Sequence, residues 1–117
     1  MKRVLRISPI LFAAILFFAS CKDEPINIFT VEDDKELGLQ VKDEIENDPA
    51  TYPLVDEAQY PEAYQHLRRI RDTILASGQV GYADDFSWEC KLVDEDVLNA
   101  FCAPGGYIYV YTGLIKY

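Results

Sequence analysis

The residues able to do chemistry are few and scattered. The chain of 117 residues holds one histidine, three cysteines and 20 acids. A catalytic zinc needs three protein ligands converging on one point, with a fourth position left open. His66 stands between Gln65 and Leu67, and no HExxH or CxxC occurs anywhere. His66 therefore reads as a surface residue of a helix, and most of the acids as solvated faces. No serine or cysteine nucleophile is supported, because His66 has no evident partner. The chemistry that is legible belongs to Cys21, which follows Ala19-Ser20. A thiol directly after two small residues can accept a diacylglycerol and become a new N-terminus on cleavage.

The segment before it fits that reading. Lys2, Arg3 and Arg6 form a positive region, and Ile10–Phe18 (ILFAAILFF) is a short apolar run. This is the order of a secretory signal, and residues 1–20 are set aside from the fold on that basis. The run is too short to span a bilayer, which takes about 20 apolar residues. The other reading is an N-terminal membrane anchor with a chance cysteine. Lipid on Cys21 would hold the protein on a membrane without crossing it. Lys22-Asp23-Glu24 resembles an export signal of surface lipoproteins, or else is a charged tether, with the tether running over residues 21–29. Both readings place the protein in the cell envelope, as an outer-membrane lipoprotein that is periplasmic or surface-exposed.

Beyond Cys21 there are eight bases against 20 acids, a net charge of −12. Such a surface repels nucleic acid and anionic lipid. Cys90 and Cys102 remain in a compartment that permits a disulfide. They are either a cross-strand pair or two buried thiols on a sheet.

The elements that position these residues follow from periodicity. Thr30 caps a helix with Glu32, Asp33 and Asp34 in its first turn, and Leu37, Val41 and Ile45 make its stripe. Asn47-Asp48-Pro49 ends it. Pro61 starts a second helix with Tyr64, Leu67, Ile70 and Ile74 as its apolar stripe, stopped by Ser77-Gly78. The period then changes to two. Phe86, Trp88, Cys90 and Leu92 alternate with polar residues as a half-buried strand. Asp94–Asp96 is a turn, Val97–Ala103 a second strand and Pro104-Gly105-Gly106 a second turn. Tyr107–Thr112 is a third strand, apolar on both faces, which calls for cover on both sides. The spacing predicts an α+β fold: two helices, then a small antiparallel sheet of about three strands. If Asp94–Asp96 closes a hairpin, Cys90 and Cys102 fall opposite each other.

The run Asn99–Leu114 (NAFCAPGGYIYVYTGL) resembles a block of the HtpX/BepA-like zinc metallopeptidases, of gluzincin type. There an Asn-Ala-Phe strand enters Pro-Gly-Gly, and an Ile-Tyr-Val-Tyr strand and Thr-Gly-Leu follow. Thr30–Gly38 resembles the family's first helix more loosely. The resemblance implies a zinc metalloendopeptidase acting on peptides or unfolded envelope proteins. It implies that Asn99, Phe101, Pro104, Gly105 and Gly106 line the substrate cleft, where an edge strand aligns an extended peptide; a well-made hairpin with no substrate contact is the other reading. In that family the zinc helix follows soon after Thr-Gly-Leu. Residues 30–117 are thus expected to be the N-terminal part of a truncated metallopeptidase-like domain. That part alone should bind no catalytic zinc, cleave nothing and be poorly stable. The competing expectation is a non-catalytic envelope lipoprotein that recruits a partner through an exposed Tyr107–Thr112 strand.

Overall fold

The structure, a computed structural model, describes residues 28–117. The signal segment and Cys21 lie outside the described residues. Among the described residues no helix is long and apolar enough to cross a membrane.

The first helix, α1 (Val31–Glu46), begins at Thr30 as its sequence requires. The Thr30 hydroxyl accepts from the Asp33 amide at 3.1 Å, and the Asp33 carboxylate accepts from the Thr30 amide at 2.8 Å. This reciprocal box satisfies two end amides. The Thr30 hydroxyl, which also donates to the Asp33 carboxylate at 2.6 Å, and then the Thr30 amide hold that carboxyl below its usual range. Thr30→Ala should cost about 1 kcal/mol, read as a shift of the urea midpoint without a change in slope. The second helix, α2 (Pro61–Leu75), starts on Pro61, where a missing amide costs nothing.

Three strands form one sheet in the order β1 (Glu89–Val93), β3 (Tyr107–Tyr111), β2 (Ala100–Ala103). The α+β class holds, with the two helices preceding three strands. The sheet is mixed and not purely antiparallel: β1 runs parallel to β3, and β2 antiparallel to it. The chain leaves β1, crosses the end of the sheet over residues 94–99, and descends as β2. It then turns back through Pro104–Gly106 and inserts β3 between the other two. The crossing is pinned where β3 ends. The Tyr111 amide donates to Asn99 O at 3.1 Å, and the Gly113 amide to Glu95 O at 3.0 Å. Gly113 opens the short helix α3 (Thr112–Lys116), and a methyl group on it would sit 2.4 Å from Val97 N.

The middle place goes to the strand with no polar face. Tyr107, Tyr109 and Tyr111 point to one side and pack with Ile45, Val93 and Ala103. Val110 points to the other and packs with Leu92 and Tyr64. α1 covers the first side and α2 the second, so the helices take opposite faces, where a shared face was also open to them. Phe101 stacks on Tyr109 with ring centres 4.9 Å apart, a geometry worth about 0.5–1.5 kcal/mol beyond its burial. Two ion pairs tie α1 to β1: Lys42 to Glu89 at 2.7 Å and Lys91 to Glu46 at 3.9 Å.

Both outer helix stripes are narrower than the periodicity suggests. Ile70 and Ile74 are half exposed. Arg71 turns inward in their stead, and its guanidinium donates to Trp88 O at 2.6 Å.

The outer edge of β1 is covered. Leu54 bridges Val93, the Val55 amide donates to Leu92 O at 2.9 Å, and the Asp94 amide to Pro53 O at 2.7 Å. The outer edge of β2 has no such partner among the described residues.

Candidate functional site

The free edge of β2 has a defined polarity. In an antiparallel pair, residues alternate between those that bond their partner and those that bond outward. Tyr111 bonds Asn99, and the register sets Phe101 opposite Tyr109 and Ala103 opposite Tyr107. Asn99, Phe101 and Ala103 thus face β3, and the backbone groups of Ala100 and Cys102 face outward. Both of these side chains are small and exposed, so another strand could approach closely. β2 carries no charge and no proline, the usual devices that close an edge to pairing.

The five cleft residues expected from sequence are not brought to one surface. Asn99 is exposed at the start of β2, and Pro104 is exposed at its end. They bracket the edge. Phe101 is half-buried in the stack with Tyr109 and Tyr52. Gly105 and Gly106 are buried, with φ of +76° and +92°. Side chains would be strained in that conformation. Space excludes them as well. A methyl on Gly106 would sit 3.0 Å from Trp88 N, and one on Gly105 would meet the Asp34 and Lys35 backbone at 3.5 Å. The Pro-Gly-Gly turn is wedged between α1 and the loop before β1, which gives its glycines a packing role.

That loop has constraints of its own. Trp88 has φ of +44°, uncommon for a large side chain. Its indole donates to Ala83 O at 2.8 Å, its ring meets Phe86 edge-on, and its carbonyl takes the Arg71 bond. In the sequence, Phe86 and Trp88 alternate with polar residues as a strand does, whereas the observed strand begins at Glu89.

The cysteine pairing is corrected. Cys90 and Cys102 both stand opposite Ile108, one on each side of β3. Two strand spacings, about 10 Å, separate them, whereas a disulfide needs Cα atoms within about 7 Å. Both thiols are free. Burial pushes both up in pKa, and at Cys90 the guanidinium of Arg71 opposes that rise.

Metal donors do not converge. Among the described residues no three His, Cys, Asp or Glu side chains are placed to hold an ion. His66 is exposed and lines a groove of α2 with Arg68, Arg69 and Asp72. At the far side, near the covered β1 edge, lies a cavity of about 520 Å³ lined by Leu54, Val55, Tyr60, Ala63, Leu92 and Ile115. Asp56, Asp94 and Lys116 also line it.

The buried tyrosines set an alkaline limit. Tyr109 is fully buried and its pKa is pushed up to about 12, first by burial and then by Glu46 and Glu89. Tyr64 is raised by burial too. A raised acid binds its proton more tightly in the folded state. Its contribution is complete below pH 10, the unfolded value, and is lost as pH rises through about 12. Absorbance at 295 nm should show the exposed tyrosines ionising first, and the last step coinciding with loss of the far-UV signal. A fully titrated, still folded protein would contradict this.

Comparison with known proteins agrees with the hairpin. The sequence profile of Peptidase family M48 matches residues 61–117, from α2 through the sheet and α3. Over 42 residues the chain is 40% identical to the mitochondrial metalloendopeptidase OMA1 of Arabidopsis thaliana, covering 36% of this chain and 9% of that protein. The chain thus corresponds to a small part of that relative's length. The segment similar to Peptidase family M48 contains the whole sheet and the Pro-Gly-Gly turn that orders it.

Proposed function

We propose that this chain is the N-terminal portion of a lipid-anchored zinc metalloendopeptidase of the HtpX/BepA-like kind, hydrolysing peptide bonds of envelope proteins. In this reading β2 is a wall of the cleft, and an extended substrate adds to it as a fourth strand. The observation that carries it is the unpaired edge of β2 inside the segment that matches the family. The family is generally zinc-dependent, but the described residues do not fit a zinc ion, since no three His, Cys, Asp or Glu side chains among them converge. No hydrolytic step is assigned to them. The acidic surface beyond Cys21, the signal pattern and the Cys21 thiol favour an envelope lipoprotein, whose partners are the membrane and unfolded polypeptide and not nucleic acid.

The alternative, recruitment through an exposed Tyr107–Thr112 strand, loses its basis. That strand lies in the middle of the sheet with neighbours on both sides. The test is to sequence the gene past the codon for Tyr117 and to assay the whole product on casein with and without a chelator. An in-frame HExxH and chelator-sensitive cleavage are expected. A stop codon with no HExxH in any nearby frame would overturn the protease reading.

A further inference from the structure

We infer that residues 82–88 form a strap that closes over the Pro-Gly-Gly turn and opens as a unit, with Arg71 as its catch. The strap belongs to the loop between α2 and β1, and the inference stands whether or not β2 meets a substrate.

Three observations carry it. The first is strain at both ends. Tyr82 and Trp88, the first and last residues of the strap, have φ of +59° and +44°. Among the described residues no other non-glycine residue has a positive φ. Large aromatic residues rarely adopt that region, and such a conformation persists only where surrounding contacts hold it.

The second is attachment. The strap is bonded to itself: the Asp85 amide donates to Tyr82 O at 3.0 Å, and the Trp88 indole to Ala83 O at 2.8 Å. The rings of Tyr82, Phe86 and Trp88 meet in succession, with centres 6.4 and 5.9 Å apart. Arg71 fastens this unit to α2 through the bond from its guanidinium to Trp88 O at 2.6 Å. The Asp72 carboxylate accepts from the same guanidinium at 2.7 Å and steadies it. Upstream the chain is unclamped, since a methyl placed on Gly78 or Gly81 would meet nothing within 4 Å.

The third is what the strap covers. A methyl on Gly106 would sit 3.0 Å from Trp88 N and 3.1 Å from Phe86 Cβ. The turn is thus held between the strap on one side and α1 on the other, where Gly38 stands against Pro104. Opening lets Tyr82 and Trp88 relax and frees one side of the turn that joins β2 to β3. β1 keeps its place through its pairing with β3 and the bridge from Leu54 to Val93.

Trp88 is the one tryptophan of the chain, so its fluorescence reports the strap directly. The chain of 117 residues, purified in detergent, would be followed in rising urea. Acrylamide quenching of Trp88 should increase before the Leu92 amide, bonded to the Tyr64 hydroxyl, loses protection from hydrogen exchange. Arg71→Met keeps an aliphatic stem and drops the catch. Chymotrypsin, which cuts after Tyr82, Phe86 and Trp88, should then nick the strap about tenfold faster, with Leu92 protected as in the parent. Quenching that rises only together with Leu92 exchange in the parent would overturn the inference, because the strap would then open only with the sheet. Folded Arg71→Met nicked at the parent's rate would overturn it as well. If that variant does not fold, the parent's urea series decides.

Discussion

Gly38→Ala should unfold this protein at markedly lower temperature, although alanine is the better helix former. In an exposed helix the change would gain about 1 kcal/mol. Here a methyl group would stand 2.2 Å from Pro104 O and 2.7 Å from its carbonyl carbon, with the Tyr107 ring 3.1 Å away. Neither near atom can swing aside. Pro104 belongs to the turn that β2 and β3 fix from either end. α1 must therefore lift from the sheet, which opens the contacts of Val41 and Ile45 with the tyrosine face. Overpacking of this kind costs about 1–3 kcal/mol or more. We expect a net loss of about 2 kcal/mol and a melting temperature lower by roughly 10 °C. Gly81 is the control, since nothing lies within 4 Å of a methyl placed there. Gly81→Ala should leave the melting temperature nearly unchanged. Equal melting of the two variants would mean that α1 does not dock through Gly38.

Tyr64→Phe should be the costliest loss of a single atom. The Tyr64 hydroxyl donates to Val55 O at 2.7 Å and accepts from the Leu92 amide at 3.2 Å. It stands in for one rung between the 53–55 segment and β1, beside the direct bond from the Val55 amide to Leu92 O. Removing it leaves a buried donor and a buried acceptor unpaired, at about 1–3 kcal/mol for such a group. We expect about 2 kcal/mol by urea titration, with the Leu92 amide losing protection from hydrogen exchange. Tyr109→Phe is the opposite case. Its hydroxyl is buried without a hydrogen-bond partner in the protein, so deleting it should be neutral or stabilising by up to about 1 kcal/mol. If both variants lose the same stability, the hydroxyl of Tyr64 is not a rung.

Much of this architecture could be read from local signals. The Thr30 cap, the Pro61 start and the Pro-Gly-Gly turn depend on a few neighbouring residues, and each lies where its residue types demand. The strand order does not. Asp94–Asp96 looks like a hairpin turn because consecutive strands usually pair. Only the absence of a polar face on Tyr107–Tyr111 hinted that this strand would take the centre and part the other two. The pairing of Cys90 with Cys102 was open only if that hairpin closed, and the register sets them on opposite sides of β3. The helix faces were legible in period but not in phase. Gly38, which an apolar count ignores, is the point of closest approach, while Leu37 is 42% exposed. The inward turn of Arg71 depends on the Trp88 carbonyl, which lies 17 residues on. The places of the five candidate cleft residues were the least legible, because a run such as Asn99–Gly106 does not separate exposed positions from those that shape the turn. Gly105 and Gly106 are of the second kind.

Backbone amide mapping tests the central claim most directly. The uniformly labelled chain would be titrated with a short Thr-Val repeat peptide, and hydrogen exchange followed residue by residue. If β2 is the substrate wall, the Ala100 and Cys102 amides should slow on binding, while those of Phe101 and Ala103, already bonded to β3, stay as they were. Protection gathered instead around Leu54, Tyr60 and Ile115, at the cavity beside the covered edge, would contradict the account.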